Sequence, residues 1–153
     1  MAFPTYFNWH EKDFNPYQVL TIYPTEMGIF GSLTFHELMH VDFTRVNSFK
    51  SAIKQAGKDH PDSVCVDIGS GIGTLALLCA KFGSARQIYA IEQEESILKI
   101  SKEVAKAQGS RINNKIKFIH GRSFDLNLPE KANLLVTETI GSIGIERKDD
   151  FYY

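Results

Sequence analysis

The sequence lacks the features of a membrane or secreted protein. Its 153 residues contain no apolar run near the roughly 18 residues of a membrane span, and residues 1–8 lack the basic patch and apolar stretch of a signal peptide. We therefore expect a cytoplasmic or nuclear chain without membrane contact. Apolar residues at 43% and charged residues at 23% are typical of one soluble globular domain, and they exclude disorder and a coiled coil.

Cysteine is scarce. Cys65 and Cys79 lie in apolar surroundings, with no CxxC or Cys/His spacing beside them. This pattern favours reduced thiols in the core over a metal or redox role, and no metal site is expected.

A strong surplus of one charge is also missing. The net charge is −1, and residues 1–49, 50–125 and 126–153 carry −3, +4 and −2. No segment is basic enough to indicate a specific nucleic-acid surface. Aromatic residues, in contrast, are concentrated, because eleven of the eighteen lie before residue 50 and predict a packed segment.

The first part of the chain reads as an irregular or partly helical lead-in followed by a helix. Thr34 and Glu37 form a capping box, apolar positions keep helical spacing from Met39 to Ile53, and Gly57 ends the helix.

After Pro61 short apolar runs alternate with helical stretches. Continuous apolar strands in this order predict an α/β fold with a parallel sheet covered on both faces. The predicted strands are 64–68, 87–92, 115–120 and 133–138, and the predicted helices are 74–82 and 95–108.

A glycine-rich loop joins the first strand to its helix. Gly69, Gly71 and Gly73 have the spacing GxGxG, and Asp67 stands two residues before the first of them. Glycine permits positive φ and close approach of a ligand to the backbone, and a helix N-terminus favours negative charge. This spacing is typical of enzymes that bind S-adenosylmethionine, whereas dinucleotide folds use GxGxxG; a simple tight turn is the alternative.

Glu92 ends the second strand, about 20 residues beyond the loop, where a carboxylate accepts hydrogen bonds from ribose hydroxyls. Taken alone, Glu92 is more typical of a solvated charge at the start of a helix, together with Glu94 and Glu95. Loop and acid together favour an adenosine cofactor, with S-adenosylmethionine ahead of NAD.

Two further segments make the chain resemble the protein arginine methyltransferases over roughly residues 27–146. The run 36–45 is similar to the family's His-Glu-x-Met-x-x-Asp-x-x-Arg signature, and the run 128–138 is similar to the approach to its paired-glutamate loop. The resemblance implies a Rossmann-like class I methyltransferase with strand order 3-2-1-4. It divides the chain into a segment 1–57 that covers the cofactor and an incomplete S-adenosylmethionine-binding domain 58–153.

The resemblance also implies residue roles. Arg45 would pair with the cofactor's methionine carboxylate, Met39 would lie beside its methyl group, and Asp67 would order the loop of Gly69, Gly71 and Gly73. Glu92 would hold the ribose, and Ser123 or Asp125 would meet the adenine. Glu138 and Glu146 would grip an arginine of a protein substrate. On an unbroken helix the four signature residues wind around half the circumference, so they cannot all face one ligand unless the helix is broken; they are His36, Met39, Asp42 and Arg45.

The chain also departs from the family's pattern. Glu138 and Glu146 are eight residues apart instead of nine, Arg147 stands at the expected position of the second acid, and Phe30 replaces a tyrosine. The family's later strands and barrel have no counterpart. We therefore expect an open apolar edge at strand 133–138, with Leu134, Leu135 and Val136 exposed unless a partner or a further part of the protein covers them.

Several functions fit these features. The first is methyl transfer from S-adenosylmethionine to arginine nitrogen in an arginine-rich protein segment. The second is a cofactor-holding regulatory module without turnover, which Arg147 favours. A methyltransferase acting on lysine or a small molecule is a further alternative, whereas an enzyme acting on DNA amino groups lacks its Asp/Asn-Pro-Pro-aromatic motif here.

Overall fold

The computed structural model describes residues 39–139. Residues 39–41 are helical, and the elements that follow alternate between helices and strands. They are α1 (Phe43–Asp59), β1 (Val64–Ile68), α2 (Thr74–Phe82), β2 (Gln87–Glu92), α3 (Glu95–Ala107), α4 (Ser110–Asn113), β3 (Ile116–His120), a 3-10 turn (Ser123–Asp125) and β4 (Leu134–Thr137).

The four strands form one parallel sheet in the order β3-β2-β1-β4. The predicted fold class and strand order are therefore confirmed. The chain adds β2 and β3 on one side of β1 and β4 on the other. This change of side makes the carboxyl end of β1 a topological switch point, where open α/β sheets bind their ligands.

Side chains alternate between the two faces of the sheet and form two cores. One core joins the helices to the sheet through buried residues such as Cys65, Cys79 and Ile88. The other contains Val64, Val66, Tyr89 and Ile91, against which Leu126 and Leu128 pack. Both faces of β1 and β2 are thus buried, and this explains their continuous apolar runs.

The predicted helix is divided in the structure. Thr34, its predicted cap, lies outside the described residues, and α1 begins after Asp42, whose Oδ1 accepts a hydrogen bond from the Arg45 backbone N–H at 3.0 Å. Asp42 itself is not helical, so the chain is broken between residues 39–41 and α1. A second difference follows Gly109, where φ is +90° and the short α4 begins directly.

The expected exposure of the fourth strand is only partly correct. β4 lies at an end of the described sheet, and the Leu135 side chain is 59% exposed. Leu134 is half-buried. Val136 is buried, with only 9% of its surface exposed, because its side chain faces the helix-covered core. The prediction was therefore wrong for Val136.

The two cysteines are free and fully buried, with their sulfur atoms 3.6 Å apart. The hydrogen bond with Cys65 and burial raise the pKa of the Cys79 thiol well above its usual range. Among residues 39–139 no group of acidic, histidine and cysteine side chains could hold a metal ion. No helix in the same range is long and apolar enough to cross a membrane.

Helix α1 packs closely on the end of α2 because Gly57 has no side chain. A Cβ atom at Gly57 would lie 2.7 Å from the Ser84 backbone nitrogen and 3.2 Å from the Gly83 Cα. Backbone atoms cannot move aside as a flexible side chain can.

We expect Gly57→Ala to lower the free energy of unfolding by up to about 2 kcal/mol in chemical denaturation, because an overpacking cost of about 1–3 kcal/mol is offset only in part by the roughly 1 kcal/mol gained in helix propensity. Ser51→Ala, at an exposed position of the same helix, is the control and should be neutral or slightly stabilising. A Gly57→Ala variant more stable than the unaltered protein would show that the helices are not in close contact.

Candidate functional site

The glycine-rich loop lies at the carboxyl end of β1, at the switch point of the sheet. Gly69, Gly71 and Gly73 have φ values of +66°, +54° and +86°, a region that other residues rarely adopt. A Cβ atom at Gly69 would also lie 2.6 Å from the Thr139 Cγ2 atom, which follows β4. The loop is therefore shaped by backbone conformation and by its close approach to the next strand's end.

Asp67, on β1, connects the strand to the helix that follows the loop. Its Oδ2 atom accepts a hydrogen bond at 2.9 Å from the backbone N–H of Ala76, in the first turn of α2. The N-cap position of α2 is Gly73, which has no side chain to cap the helix, so Asp67 supplies the missing acceptor.

The Asp67 carboxyl is also electrostatically unusual. It is 1% exposed, and its Oδ1 atom has no hydrogen-bond partner among the described residues. Burial raises the pKa of Asp67 to about 8, and the negative charge of Glu92 adds to this shift, while the Ala76 N–H opposes it.

Glu92 approaches the same loop from β2. Its Oε2 atom accepts from the Gly71 N–H at 2.8 Å, and its Oε1 atom accepts from the Glu94 N–H at 2.9 Å. The side chain is 8% exposed, so the alternative of a solvated helix charge does not describe it. A carboxylate has about four acceptor positions, and two of these remain for a ligand.

Arg45 joins the first described residues to the end of the sheet. Its Nη1 atom lies 2.7 Å from Glu138 Oε2, and its Nη2 atom donates to the Met39 carbonyl. The break at Asp42 permits this second contact, because within a continuous helix the guanidinium could not turn back to the residue six positions earlier. The broken helix that the sequence required is thus present between Met39 and Arg45.

These contributions surround one cleft. Its lining includes five of the eight predicted cofactor residues and one of the two predicted catalytic acids, namely Met39, Arg45, Asp67, Gly69, Gly71 and Glu138. The remaining lining residues are Ser70, Ile72, Thr74 and Leu75. Ser70 Oγ and Arg45 Nε are buried without a hydrogen-bond partner in the described structure, as is Asp67 Oδ1.

Other predicted residues take no part in this lining. Gly73 is the N-cap of α2, and Glu92 is hydrogen-bonded to the loop at the Gly71 N–H without being part of the cleft lining. Ser123 lies in the 3-10 turn that follows β3, near the same end of the sheet. Glu146, Arg147 and Phe30 lie outside the described residues.

Sequence reasoning missed two contributors. The His40 Nδ1 atom lies 3.2 Å from the Thr74 hydroxyl and ties the first described residues to α2. Burial, with the nearby charge of Arg45, lowers the pKa of His40 and favours the neutral ring. The second contributor, Thr139, limits the space at Gly69. His40 could have been found because it lies within the signature-like run 36–45, whereas no motif in the sequence included Thr139.

The raised pKa of Asp67 predicts a pH-dependent stability. Between the ordinary aspartate pKa of 3.8 and the folded value of about 8, the folded chain holds a proton that the unfolded chain has lost, so this contribution falls as pH rises through that window. Urea denaturation should show stability decreasing from pH 5 to about 8, and Asp67→Asn, which keeps the acceptor for Ala76, should reduce this slope.

Asp125→Asn, which removes an exposed carboxyl, is the matched control and should leave the slope unchanged. An Asp67→Asn variant with the slope of the unaltered protein would contradict the assignment.

Comparison with curated proteins gives protein arginine methyltransferases as relatives. The protein arginine N-methyltransferase 1 of rice (Oryza sativa subsp. indica) is 35% identical over 107 residues, which are 69% of this chain and 27% of the rice protein. No family model matches the chain. The chain spans about a quarter of the length of the curated relatives it matches.

Two solved structures of protein arginine methyltransferases also match the chain. The protein arginine methyltransferase 10 of Arabidopsis thaliana has a TM-score of 0.66 and 27% identity, over 73% of this chain and 31% of that one. The protein arginine methyltransferase 1 enzyme–prozyme complex of Trypanosoma brucei, solved with AdoHcy, has a TM-score of 0.68 and 25% identity, over 75% and 35%. The chain is therefore related to the protein arginine methyltransferase family, and it matches roughly the N-terminal quarter of the family's proteins.

Proposed function

We propose that this chain binds S-adenosylmethionine in the cleft and serves in methyl transfer to arginine nitrogen of protein substrates. The observation that carries the proposal is the convergence, on one cleft, of Met39 and Arg45, the glycine-rich loop, and Glu138 from the end of β4. The matched Trypanosoma structure, which contains AdoHcy, supports the choice of cofactor.

The residues present fit such a cofactor. Two unused acceptor positions on Glu92 suit the two hydroxyls of a ribose, and the guanidinium of Arg45 suits the carboxylate of an amino acid. The loop glycines adopt positive φ and have no side chains, so a ligand can approach the backbone closely at this place. Buried unpartnered atoms at Ser70 and Arg45 supply polar groups that a ligand would satisfy.

Glu138 is the candidate for holding the substrate. An arginine side chain is protonated in water, and its nitrogen is a poor nucleophile until carboxylates localise the positive charge on the other nitrogens. The cofactor supplies an electrophilic methyl group when bound. Glu138 would orient the guanidinium beside it, and Glu146 is the proposed second acid.

The ion pair between Arg45 and Glu138 sets a condition on this function. At 2.7 Å the two groups neutralise each other, so a cofactor carboxylate must share Arg45 with Glu138 or displace it. Glu138 is likewise less negative toward a substrate while Arg45 remains paired with it. Binding of the cofactor to Arg45 and binding of the substrate to Glu138 therefore both compete with the Arg45–Glu138 ion pair.

A calorimetric titration with S-adenosylhomocysteine tests this competition. Arg45→Ala should weaken binding by roughly 10- to 100-fold, because it removes a charge-assisted contact, whereas Glu138→Gln should leave binding unchanged or tighten it by a few fold. Glu130→Gln is the control, since Glu130 pairs with Arg86 away from the cleft lining. Weakening of similar size in the Arg45 and Glu138 variants would contradict competition between the cofactor and Glu138.

A second titration tests the ribose site. Glu92→Gln should weaken S-adenosylhomocysteine binding by roughly tenfold or more, because the amide accepts fewer hydrogen bonds and carries no charge. Glu94→Gln, two residues further on, should change binding by less than about twofold. Equal effects of the two substitutions would argue against an adenosine site at the end of β2.

Methyl transfer itself is tested by incubating the full chain with labelled S-adenosylmethionine and an arginine-rich peptide. Labelled methylarginine in the peptide supports the enzyme, and its loss in Glu138→Gln with cofactor binding retained assigns Glu138 to the substrate. Binding of S-adenosylhomocysteine without any transfer supports the alternative of a cofactor-holding module. The Arg45–Glu138 pair and Arg147 favour that alternative, and the matched enzyme–prozyme assembly provides a comparison.

The partners proposed for either function are an arginine-rich protein segment and a protein surface covering β4, whose Leu135 is exposed. A location in the cytoplasm or the nucleus suits such substrates. Neither proposal involves a membrane or a specific nucleic acid.

A further inference from the structure

The helices α1 and α2 form a basic surface outside the cleft. Together they contain five lysine and arginine residues and one acid, Asp59, although the whole chain has a net charge of −1. Apart from Arg45, which belongs to the cleft, these cations are Lys50, Lys54, Lys58 and Lys81. We call these four residues the lysine ridge.

Three of the four ammonium groups converge on one aromatic ring. The Nζ atoms of Lys50, Lys54 and Lys81 lie 4.4, 5.4 and 5.6 Å from the centre of the Phe82 ring. The electron-rich ring face attracts cations and offsets part of their mutual repulsion. All three ammonium groups lie within 5.6 Å of one point, so the distances between them are comparable to the Debye length of about 8 Å at physiological ionic strength. Their positive potentials therefore add.

The spacing along α1 prevents local neutralisation. Lys50, Lys54 and Lys58 repeat every four residues, so they share one side of the helix, where like charges destabilise it. None of the ion pairs within residues 39–139 involves these three lysines. In contrast, Lys99 and Lys106 of α3 are each paired with a glutamate of the same helix.

The position of the ridge separates it from the proposed methyl-transfer site. Phe82 is the last residue of α2, whereas the glycine-rich loop precedes its first residue, so the two lie about 12 Å apart along the helix axis. An arginine-rich substrate would be repelled by the ridge. The ridge therefore needs a different partner, of opposite charge.

We propose that the lysine ridge binds an acidic segment of a partner protein. The ridge from Lys50 to Lys58 is only about 12 Å long, so it spans few phosphates of a nucleic acid, and affinity for nucleic acids depends on their number. The Phe82 ring is covered by ammonium groups and is not free to stack on bases. Lysine stems on α1 suit a flexible chain of carboxylates, which binds through charge without a fixed geometry.

Fluorescence anisotropy with the full chain tests this proposal. The probe is a labelled peptide in which glutamate alternates with serine, and its competitors are a glutamine-for-glutamate peptide and single- and double-stranded oligonucleotides of equal charge. The glutamate peptide should bind at low salt and weaken as salt rises, and the glutamine peptide should not compete.

The triple variant Lys50→Glu, Lys54→Glu, Lys58→Glu should weaken binding of the acidic peptide at least about tenfold, the sum of three surface ion pairs. The control Lys99→Glu with Lys102→Glu, on exposed positions of α3, should change it by less than about twofold. Circular dichroism and thermal unfolding verify that both variants fold, and the double variant Lys50→Gln, Lys54→Gln replaces the triple one if it does not.

Other results overturn the proposal. An oligonucleotide that binds more tightly than the acidic peptide, through the same lysines, would make the ridge a nucleic-acid surface. Equal binding by the ridge and control variants would place the acidic peptide elsewhere, and no binding of the acidic peptide at low salt would leave the ridge without this role. None of these outcomes depends on cofactor binding or methyl transfer.

Discussion

The site depends on two buried carboxylates that accept backbone N–H groups, one from the glycine-rich loop and one from the first turn of the helix that follows it. Asp67, from β1, holds the first turn of α2, and Glu92, from β2, holds the Gly71 N–H. Glycine gives the turn its conformation but no side chain to fix it, so the acids from adjacent strands supply that restraint. Burial, with the smaller effect of repulsion by Glu92, is the reason that the pKa of Asp67 is raised. Order in the loop is therefore obtained at an electrostatic cost.

Most of the fold was predictable because its signals are local. The strand Val64–Ile68 and the helix Thr74–Phe82 have the predicted bounds, since continuous apolar residues followed by positive-φ glycines leave few alternatives. The break at Asp42 was not predictable, because the apolar positions keep helical spacing across it. Arg45, just beyond the break, contacts Glu138 at a distance of 93 positions along the chain, and no local signal contains such a contact.

The site was predictable as a set of residues rather than as a set of contacts. Motif spacing identified Arg45 and Glu138 separately and assigned them to different ligands, but no spacing rule connects residues 93 positions apart. Their pairing follows from the strand order, which brings the end of β4 beside β1. The burial of Val136 was unpredictable for a similar reason, because it depends on the register between β4 and β1. Val136 is paired with Asp67, whose side chain contacts α2, so Val136 faces the helices as well.

The strand order also affects the time at which the sheet is completed. One edge of β1 pairs with β2, where Gln87 lies opposite Val64, about 20 positions away in the sequence. The other edge of β1 pairs with β4, and the contacts there join residues 69 positions apart. Pairings of such sequence separation form slowly, because the intervening chain must lose entropy before the contact stabilises it. During synthesis the central strand thus emerges with one bare edge, and the ribosome must add the whole of β2, α3 and β3 before that edge is protected. A mutation that slows the docking of β4 would prolong exposure of this edge of β1, and its effect would be aggregation rather than loss of ligand binding.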